Sequence, residues 1–237
     1  MTPGKRDYFV VLLLSAAVAA IGWAQDRSSP PEVNGEWRDL LPDPAFKEWA
    51  RLPLLPTRPL SEASQWKVDA SARTLLCEGD KGHEWLRYNR EFANFLFHVE
   101  WRFIKTPDQP KYNSGVYIRN NLDGWMYHQA QVGVDGYLFA VTPINGVIQR
   151  VSLQGKPWAD STTSAFKAFS IAPENRIKNV LDWNTYDIRC DGKKITLWIN
   201  GGLQSEYTEC EVPKGYVGLE AEGHRIEFRN IRLKDLP

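Results

Sequence analysis

Hydrophobic and polar residues alternate regularly between Phe95 and Ile104. Alternation with a period of two residues predicts a β-strand whose successive side chains point to opposite faces. The apolar face is mostly aromatic and comprises Phe95, Phe97, Val99, Trp101 and Phe103. The opposite face presents His98, Glu100 and Arg102. The pattern therefore predicts a strand with one buried face and one polar face.

A second alternating segment runs from Asn113 to Asn120. Val116 and Ile118 fall on one of its faces, and the other face carries Gly115, Tyr117 and Arg119. Because a connection that contains Pro and Lys joins the two segments, we expect them to form neighbouring strands. Their polar faces would then make the floor of a ligand cleft.

Short alternating segments and turn signals continue along the rest of the chain. Residues 66–78 predict a hairpin, residues 125–132 a third strand of the cleft, and the chain from Trp183 onward a regular meander. Residues 44–49 are compatible with a helical turn, whereas residues 155–179 have no period and indicate a long loop. Tight turns are predicted at Asp135-Gly136, Asn145-Gly146, Asp191-Gly192 and Asn200-Gly201. Together these features predict an all-β antiparallel sandwich.

Composition limits the classes of partner. The 237 residues suffice for one substantial core, and neither a repeat nor a second domain is visible. The formal charge is +0, from 29 basic and 29 acidic side chains, which argues against a nucleic acid partner. The ten tryptophans and nine tyrosines can fill a sandwich core and can also form flat platforms for sugar rings.

The N-terminus has the features of an export signal. Lys5 and Arg6 precede an apolar run from Tyr8 to Ile21, and small residues follow up to Ala24. This order predicts a signal peptide over residues 1–24, hence a periplasmic or secreted protein with no stable membrane insertion after cleavage. An uncleaved anchor is the alternative, because the run is only just too short for a membrane span. Residues 25–39 are expected to form a flexible lead, and residues 40–237 a single domain.

The three cysteines are Cys77, Cys190 and Cys210, so at most one intrachain disulfide can form. An exported protein can carry disulfides, and Cys190 with Cys210 is then the favoured pair. Buried thiols are an equally weighted alternative.

Four motifs, taken in order, resemble one family. They are Glu100-Trp101-Arg102, NSGVYIR from Asn113 to Arg119, WNTYDI from Trp183 to Ile188, and the terminal segment from Gly218 to Leu236. Over about residues 40–236 the chain resembles the 3-keto-disaccharide hydrolase domain family. The resemblance implies a two-sheet jelly-roll sandwich of the concanavalin A-like lectin/glucanase type. It also implies action on glycosides whose 3-hydroxyl has been oxidised to a ketone, so that the expected partner is a small carbohydrate substrate.

The chemistry implied by this resemblance sets requirements for the site. A carbonyl at C3 acidifies the proton on C2, so a general base can remove that proton and the C1 substituent can then depart. The enolate needs a cation, a metal ion or hydrogen-bond donors near its oxygen. A divalent metal ion would suit this role, although no local motif marks a metal site and no cofactor is certain from the sequence. The family pattern places Glu-x-Gln where this chain has Gln129-Ala130-Gln131, and an amide can serve neither as a base nor as a strong ligand of a hard cation.

The candidate catalytic residues are Glu100, Arg102, Arg119 and Glu222. A guanidinium offers a planar set of donors to an enolate or hydroxyl oxygen, and a carboxyl group whose pKa is raised by burial can transfer protons. We expect Arg119→Ala to abolish turnover without unfolding the protein. The alternative for Glu100 and Arg102 is an ion pair within the sheet, and for Glu222 it is a solvated strand face.

The candidate substrate-binding residues are Asn113, Tyr117, Gln129, Gln131, Tyr137, Glu220 and His224. Asn113 could instead shape the entry to its strand, and Tyr137 could fill the core. For Trp183 a core position is favoured over stacking on a sugar. His128 could replace the missing carboxylate only if a bulge turned it into the cleft.

Two functions follow from these residues. The first is an exported hydrolase or lyase that acts on 3-keto-glycosides, and the second is a non-catalytic sugar-binding module on the same fold. Gln129 favours the module, whereas Glu100, Arg102, Arg119 and Glu222 favour the enzyme. A conventional glucanase of this fold ranks lower, because only Glu220 and Glu222 form a carboxylate pair on one strand.

Overall fold

The computed structural model describes residues 29–54, 59–106, 112–123, 127–141, 143–144, 147–148, 166–168, 170–171, 174–210 and 212–237. The predicted signal peptide, Trp125 and the Asn145-Gly146 turn lie outside these residues. Within them every regular element is a β-strand, and no helix of a length and hydropathy suited to crossing a membrane occurs.

The strands of the described residues are numbered here in chain order. They are β1 (Arg38–Asp39), β2 (Trp49–Pro53), β3 (Trp66–Asp69), β4 (Thr74–Cys77), β5 (Glu84–Phe92), β6 (Phe95–Phe103), β7 (Asn113–Asn120), β8 (Tyr127–Gly133), β9 (Leu138–Val141), β10 (Pro143–Ile144), β11 (Val147–Ile148), β12 (Phe166–Ala168), β13 (Ser170–Ile171), β14 (Asn184–Asp191), β15 (Lys194–Ile199), β16 (Gly202–Tyr207), β17 (Gly215–Ala221) and β18 (Ile226–Asp235).

The long strands form two antiparallel sheets. The nine-stranded sheet has the order β13-β16-β15-β14-β6-β18-β4-β3, with β1 also paired to β18. The seven-stranded sheet has the order β12-β9-β8-β7-β17-β5-β2, and β10 pairs with β11 as a separate hairpin. The predicted all-β sandwich is therefore confirmed.

The core lies between the two sheets and follows the alternation in the sequence. The aromatic face of β6 supplies Phe95, Phe97, Val99, Trp101 and Phe103, all of which are buried. The facing sheet contributes the buried residues Val116, Ile118, Ala130, Val132, Val217, Leu219 and Ala221. Because successive side chains of a strand point to opposite faces, the other residues of these strands lie on the outer face of each sheet, where several are also buried.

The predicted pairing of the two central strands is wrong. β6 lies between β14 and β18 in the nine-stranded sheet, whereas β7 lies between β17 and β8 in the seven-stranded sheet. The connection between them crosses from one sheet to the other. Their polar faces consequently point away from each other, on opposite sides of the sandwich, and cannot share a cleft floor.

The other local predictions have mixed outcomes. The hairpin over residues 66–78 is formed by β3 and β4, and the Asp191-Gly192 and Asn200-Gly201 turns join β14 to β15 and β15 to β16. The third strand exists as β8, next to β7 as predicted. The predicted helical turn at residues 44–49 is wrong, because the chain makes hydrogen-bonded turns there and enters β2 at Trp49. In the predicted long loop, β12 and β13 add short edge strands.

The N-terminal strand β1 shows where the paired structure of the domain begins. β1 pairs Arg38 with Leu233, and Lys234 Nζ donates to Val33 O at 2.7 Å, so paired structure begins just before residue 40.

All three cysteines are buried free thiols, so the alternative to the disulfide holds.

Candidate functional site

Three titratable side chains converge on the face of the seven-stranded sheet that is turned away from the core, which we call the site face. His83 precedes β5, Glu220 lies in β17, and Glu222 follows β17. Each offers one ligand atom, and these atoms lie within 4.8 Å of one another. His83 Nε2 contacts Glu220 Oε1 directly. We call these three residues the carboxylate cluster.

The cluster exists because a glycine faces it. Gly115 of β7 is paired with Gln131 of β8 and lies next to Glu220 of β17. A Cβ atom at position 115 would lie 2.6 Å from Glu220 Oε2 and closer still to the Gln129 amide. The absent side chain therefore lets Gln129 and Glu220 meet above β7, where Gln129 Nε2 donates to Glu220 Oε2 at 3.2 Å.

Amide side chains connect the cluster to the rest of the site. Gln129 Nε2 is 3.4 Å from Gln131 Oε1, and Gln131 Nε2 donates to Asn113 Oδ1. Asn113 in turn hydrogen-bonds to the Glu222 carboxyl group. His224 Nδ1 lies 2.9 Å from Glu222 O and 3.3 Å from the Asn113 backbone nitrogen. The network fixes the two glutamates relative to each other.

The environment of the cluster strongly raises the pKa of one of its carboxyl groups. Burial, and secondarily the charge of Glu220, raises the pKa of Glu222 from 4.5 to about 7, although His83 and Asn113 counteract part of the shift. Burial and the neighbouring Glu220 also raise the pKa of the Tyr117 phenol well above 10, so Tyr117 stays protonated. Glu220 is buried, whereas His83 and Glu222 are half-buried. The site thus holds one carboxyl group that changes protonation near neutral pH and can be reached from outside.

The donor set also fits a divalent cation. One imidazole and two carboxylates can provide three ligands and leave positions open for substrate, as in catalytic metal sites. A cation would relieve the repulsion between Glu220 and Glu222 that raises the pKa of Glu222. Gln129 donates an N–H to Glu220, so it does not add a third carboxylate to this set.

A row of aromatic rings crosses the site face beside the cluster. Trp85 contacts Tyr117 and Tyr127, Tyr127 contacts Phe139, and Phe139 contacts Tyr137. Trp85 and Tyr117 lie on the two strands that flank β17, so their rings meet across that strand. Trp85, Tyr117 and Phe139 are buried, whereas Tyr127 and Tyr137 are half-buried and offer apolar ring surface to a sugar.

Residues 36–234 match the family model of the 3-keto-alpha-glucoside-1,2-lyase-like domain. The chain belongs to this family. The resemblance found in the sequence is thereby confirmed, and the lyase-like domain extends over nearly all of the described residues. The family relates the chain to carbohydrates.

Solved structures similar to the lyase-like domain share its fold at low identity. The carbohydrate-binding module CBM66 from Bacillus subtilis is 12% identical with a TM-score of 0.56, over 79% of this chain and 96% of that one. A candidate glycosyl hydrolase from Parabacteroides distasonis is 17% identical with a TM-score of 0.55, over 85% of this chain and 100% of that one. The E269S variant of LamA from Z. galactanivorans, in complex with laminaritriose and laminaritetraose, is 10% identical with a TM-score of 0.52, over 82% of this chain and 94% of that one. The search among curated proteins returned no significant match.

Most of the predicted site residues of the lyase-like domain do come together. Glu222 and the seven predicted substrate-binding residues lie in or beside the carboxylate cluster and the aromatic row: Asn113, Tyr117, Gln129, Gln131, Tyr137, Glu220 and His224. All of them come from β7, β8, β17 or the turns that adjoin these strands and β9.

The prediction that Glu100 and Arg102 share a cleft with the other site residues is wrong. Both lie on the outer face of the nine-stranded sheet, on the opposite side of the core. Glu100 accepts hydrogen bonds from Arg229 at 2.7 Å and Asn230 at 2.6 Å, and Arg102 pairs with Glu227 at 2.7 Å. They form the in-sheet ion pairs that were the alternative.

Trp183 belongs to the same outer face. The guanidinium groups of Arg102 and Arg229 lie 4.6 and 4.0 Å from its ring centroid, and the ring is half-buried. The predicted core position for Trp183 is therefore wrong.

Arg119 is also misplaced by the prediction. Its backbone has a φ of 49°, and the register of β7 against β17 shifts beside it, so the side chain leaves the site face. The fully buried guanidinium donates to Ala93 O, Gly192 O and Val212 O. Its donors are occupied by backbone carbonyls, so Arg119 joins three loops at one end of the sandwich.

Sequence reasoning missed His83 and found no role for Trp85. His83 lies in the connection between β4 and β5, where no alternation assigns it to a face. Its neighbour Gly82 has a φ of 96°, and Gln65 Nε2 donates to Gly82 O at 2.9 Å, so buried Gln65 holds the loop that presents His83. His128, the proposed substitute, instead packs against Tyr207, and burial lowers its pKa to about 3.

Proposed function

We propose that this lyase-like domain cleaves 3-keto-glycosides and that Glu222 is the base that removes the C2 proton. The observation that carries the proposal is the convergence of half-buried Glu222 with His83 and Glu220, whose ligand atoms lie within 4.8 Å of one another, and burial there raises the pKa of Glu222 to about 7. A general base works best when its pKa lies near the working pH. Two neighbouring groups in different environments are a common arrangement for acid and base.

In the proposed reaction the bound sugar lies against the half-buried rings of Tyr127 and Tyr137 with C2 facing Glu222. The Glu222 carboxylate takes the C2 proton, and the electron pair of the C2–H bond passes to the C3 carbonyl as an enolate. The pair then returns to form the C1–C2 double bond while the C1–O bond breaks. The leaving oxygen takes a proton and departs as an alcohol, and addition of water to the double bond would give net hydrolysis.

His83 is the proposed proton donor to the leaving oxygen. Its imidazole contacts Glu220, and its side chain is 28% exposed, whereas that of Glu220 is 4% exposed. A buried carboxylate bonded to a histidine holds the ring in one orientation and stabilises its protonated form. His83 can therefore reach substrate while Glu220 acts through it.

A divalent ion held by His83, Glu220 and Glu222 would supply Lewis-acid polarisation of the C3 carbonyl. In that case Glu222 would be shared between the ion and proton transfer, and His83, as a ligand, would not donate the proton to the leaving oxygen. Activity that is lost with a chelator and restored by added metal would support this version.

Export is proposed from the sequence of residues 1–24. Fractionation of cells that express the full chain, followed by N-terminal sequencing of the mature protein, tests it. A new N-terminus at Gln25 is the expected result.

The decisive experiment incubates the protein with a 3-keto-glucoside and separately with its unoxidised parent. Release of the aglycone from the ketone alone is expected. Glu222→Gln should reduce this rate at least a hundredfold, in line with the usual contribution of a general base. The matched control is Glu62→Gln, because Glu62 is exposed and outside the site. Full activity of Glu222→Gln would contradict the assignment of the base.

The second candidate is a sugar-binding module without turnover. Gln129 favours it, since the family pattern has a carboxylate at this position and the amide here only donates to Glu220. Binding of both sugars without cleavage would support the module.

A further inference from the structure

Buried hydrogen-bond donors without acceptors lie next to the carboxylate cluster on the site face. In the part of the chain that the structure describes, Trp85 Nε1, Arg87 Nε and the Asn120 amide have no partner. Trp85 and Asn120 are fully buried, and Arg87 is 9% exposed. Folded proteins pair most buried polar groups, so several unpaired ones in one place require an explanation.

These side chains lie on β5 and β7, the two strands that flank β17, at positions around Gly218. Trp85 is paired with Glu220, and Arg87 and Tyr117 are both paired with Gly218. Asn120 is paired with Tyr216 and so shares its face. We call Trp85, Arg87, Tyr117 and Asn120 the donor patch.

Arg87 gives the patch an uncompensated positive charge. Its described partners are neutral: the guanidinium donates to Leu122 O and to Asn89 Oδ1, and it lies 4.4 Å from the centroid of the Tyr216 ring. By contrast, Arg51 on the adjacent strand β2 pairs with the Glu84 carboxylate at 2.7 Å. A buried cation without a counter-ion is costly, and a bound anion removes that cost.

We infer that the donor patch binds an anionic substituent, a carboxylate or sulfate, on the sugar ring next to the ring that is cleaved. Arg87 follows Trp85 by two residues, so it lies about 7 Å further along the strand than Glu220. The anion is therefore placed beyond the ring at the carboxylate cluster. The inference rests on the proposed function for the position of that first ring, and it adds the substrate class: acidic glycosides.

The donors match such a group chemically. A guanidinium binds carboxylate and sulfate oxygens through paired N–H groups, and hydrogen bonds to ions are stronger than neutral ones. Trp85 Nε1 and the Asn120 amide can donate to the remaining oxygens. The competing explanation is structural, namely that Arg87 only anchors the chain at Leu122.

Calorimetric titration separates these explanations. The ligands are three unoxidised disaccharides that differ only at C6 of the second ring, which carries a hydroxymethyl group, a carboxylate or a sulfate ester. We expect the wild-type protein to bind one or both acidic sugars at least about tenfold more tightly than the neutral one. The preference should decrease as salt is added, because salt screens the charge.

Arg87→Gln should abolish the preference, and Arg87→Lys should keep part of it because the charge remains. The control is Arg90→Gln, since Arg90 is an exposed residue of the same strand that faces Asp235. If Arg87→Gln does not fold, the comparison rests on Arg87→Lys and on the salt dependence of the wild type. Equal affinity for the three sugars, absence of binding, or a preference that survives in Arg87→Gln would overturn the inference.

Because these ligands carry no ketone, the result does not depend on turnover. A protein that prefers acidic sugars but leaves 3-keto-glycosides intact would refute the proposed reaction and keep the donor patch. Cleavage of 3-keto-glycosides without a preference for acidic sugars would support the proposed reaction and refute the donor patch.

Discussion

At the scale of single residues, the protonation of Glu222 links the chemistry of the site to the stability of the fold. Its pKa is about 7 in the folded protein and 4.5 in the unfolded reference. A raised pKa means that the folded state holds the proton more tightly than the unfolded chain does. The contribution of Glu222 to stability is therefore fully present below about pH 4.5 and is lost as the pH rises through about 7.

Glu222→Gln should accordingly stabilise the protein at high pH. At pH 8 the charged carboxylate is penalised by burial and by Glu220, and the neutral amide is not. We expect a gain of about 2–3 kcal/mol at pH 8 and little change at pH 4.5, measured by urea unfolding. Glu62→Gln is the control. A difference that is the same at both pH values would show that Glu222 is not the titrating group.

Arg119, in contrast to Glu222, contributes to the stability of the fold and does not lie at the site face. Arg119→Met should leave the carbonyls of Ala93, Gly192 and Val212 without their donor. We expect a loss of about 3 kcal/mol in the free energy of unfolding, with sugar binding retained by the folded fraction. Arg38→Met, at an exposed position, is the control. Loss of binding at unchanged stability would restore the catalytic role predicted from the sequence.

At the scale of elements, the sequence predicts strands well and their partners poorly. The alternation of β6 and the turn at Asp191-Gly192 each depend on a few consecutive residues, and both are confirmed. The pairing of Trp101 with Asn184 depends on segments far apart in the chain, and no local pattern encodes it. A connection between two strands looks the same whether it makes a hairpin or crosses between sheets.

The positions of the site residues could be predicted only where the residues lie on regular strands. Glu220, Gln129 and Gln131 lie on regular strands, so alternation places them on the correct face. His83 lies in a connection, where alternation gives no information. Arg119 breaks the alternation through a left-handed φ, which residues other than glycine rarely adopt and which the sequence does not announce.

Gly115 tests whether the close approach of β7 to the cluster matters. In Gly115→Ala the new Cβ would lie 2.6 Å from Glu220 Oε2, so Glu220 and Gln129 must move apart. Because the reacting groups depend on this geometry, we expect at least a tenfold loss of cleavage or sugar affinity, with a smaller effect on melting temperature. Gly202→Ala is a matched strand control, since the atoms nearest to its Cβ would belong to the movable Arg176 side chain. Equal behaviour of the two variants would remove the role of Gly115.

At the scale of the whole molecule, the two outer faces of the sandwich differ in how their charges are balanced. On the nine-stranded sheet, Arg229 pairs with Glu100 and Arg102 pairs with Glu227. Burial raises the pKa of Glu100, but hydrogen bonds from Asn230 and Arg229 outweigh it and lower the pKa. On the site face, Glu222 is destabilised by its neighbour and Arg87 has neutral partners. Unbalanced charges that are retained in a folded protein are typical of functional sites.

The final prediction compares the two faces directly. The double variant Glu100→Gln with Arg102→Gln removes side chains whose partners lie on their own sheet, so it should change stability by about 1 kcal/mol and leave cleavage and sugar binding intact. Glu220→Gln removes the carboxylate that holds His83 and should abolish cleavage in a protein that still folds, as judged by circular dichroism. That outcome would assign function to the site face, because both variants remove charged side chains but only Glu220→Gln alters the carboxylate cluster. Loss of activity in the double variant, with Glu220→Gln still active, would move the active site to the nine-stranded sheet and return Glu100 and Arg102 to the roles first expected of them.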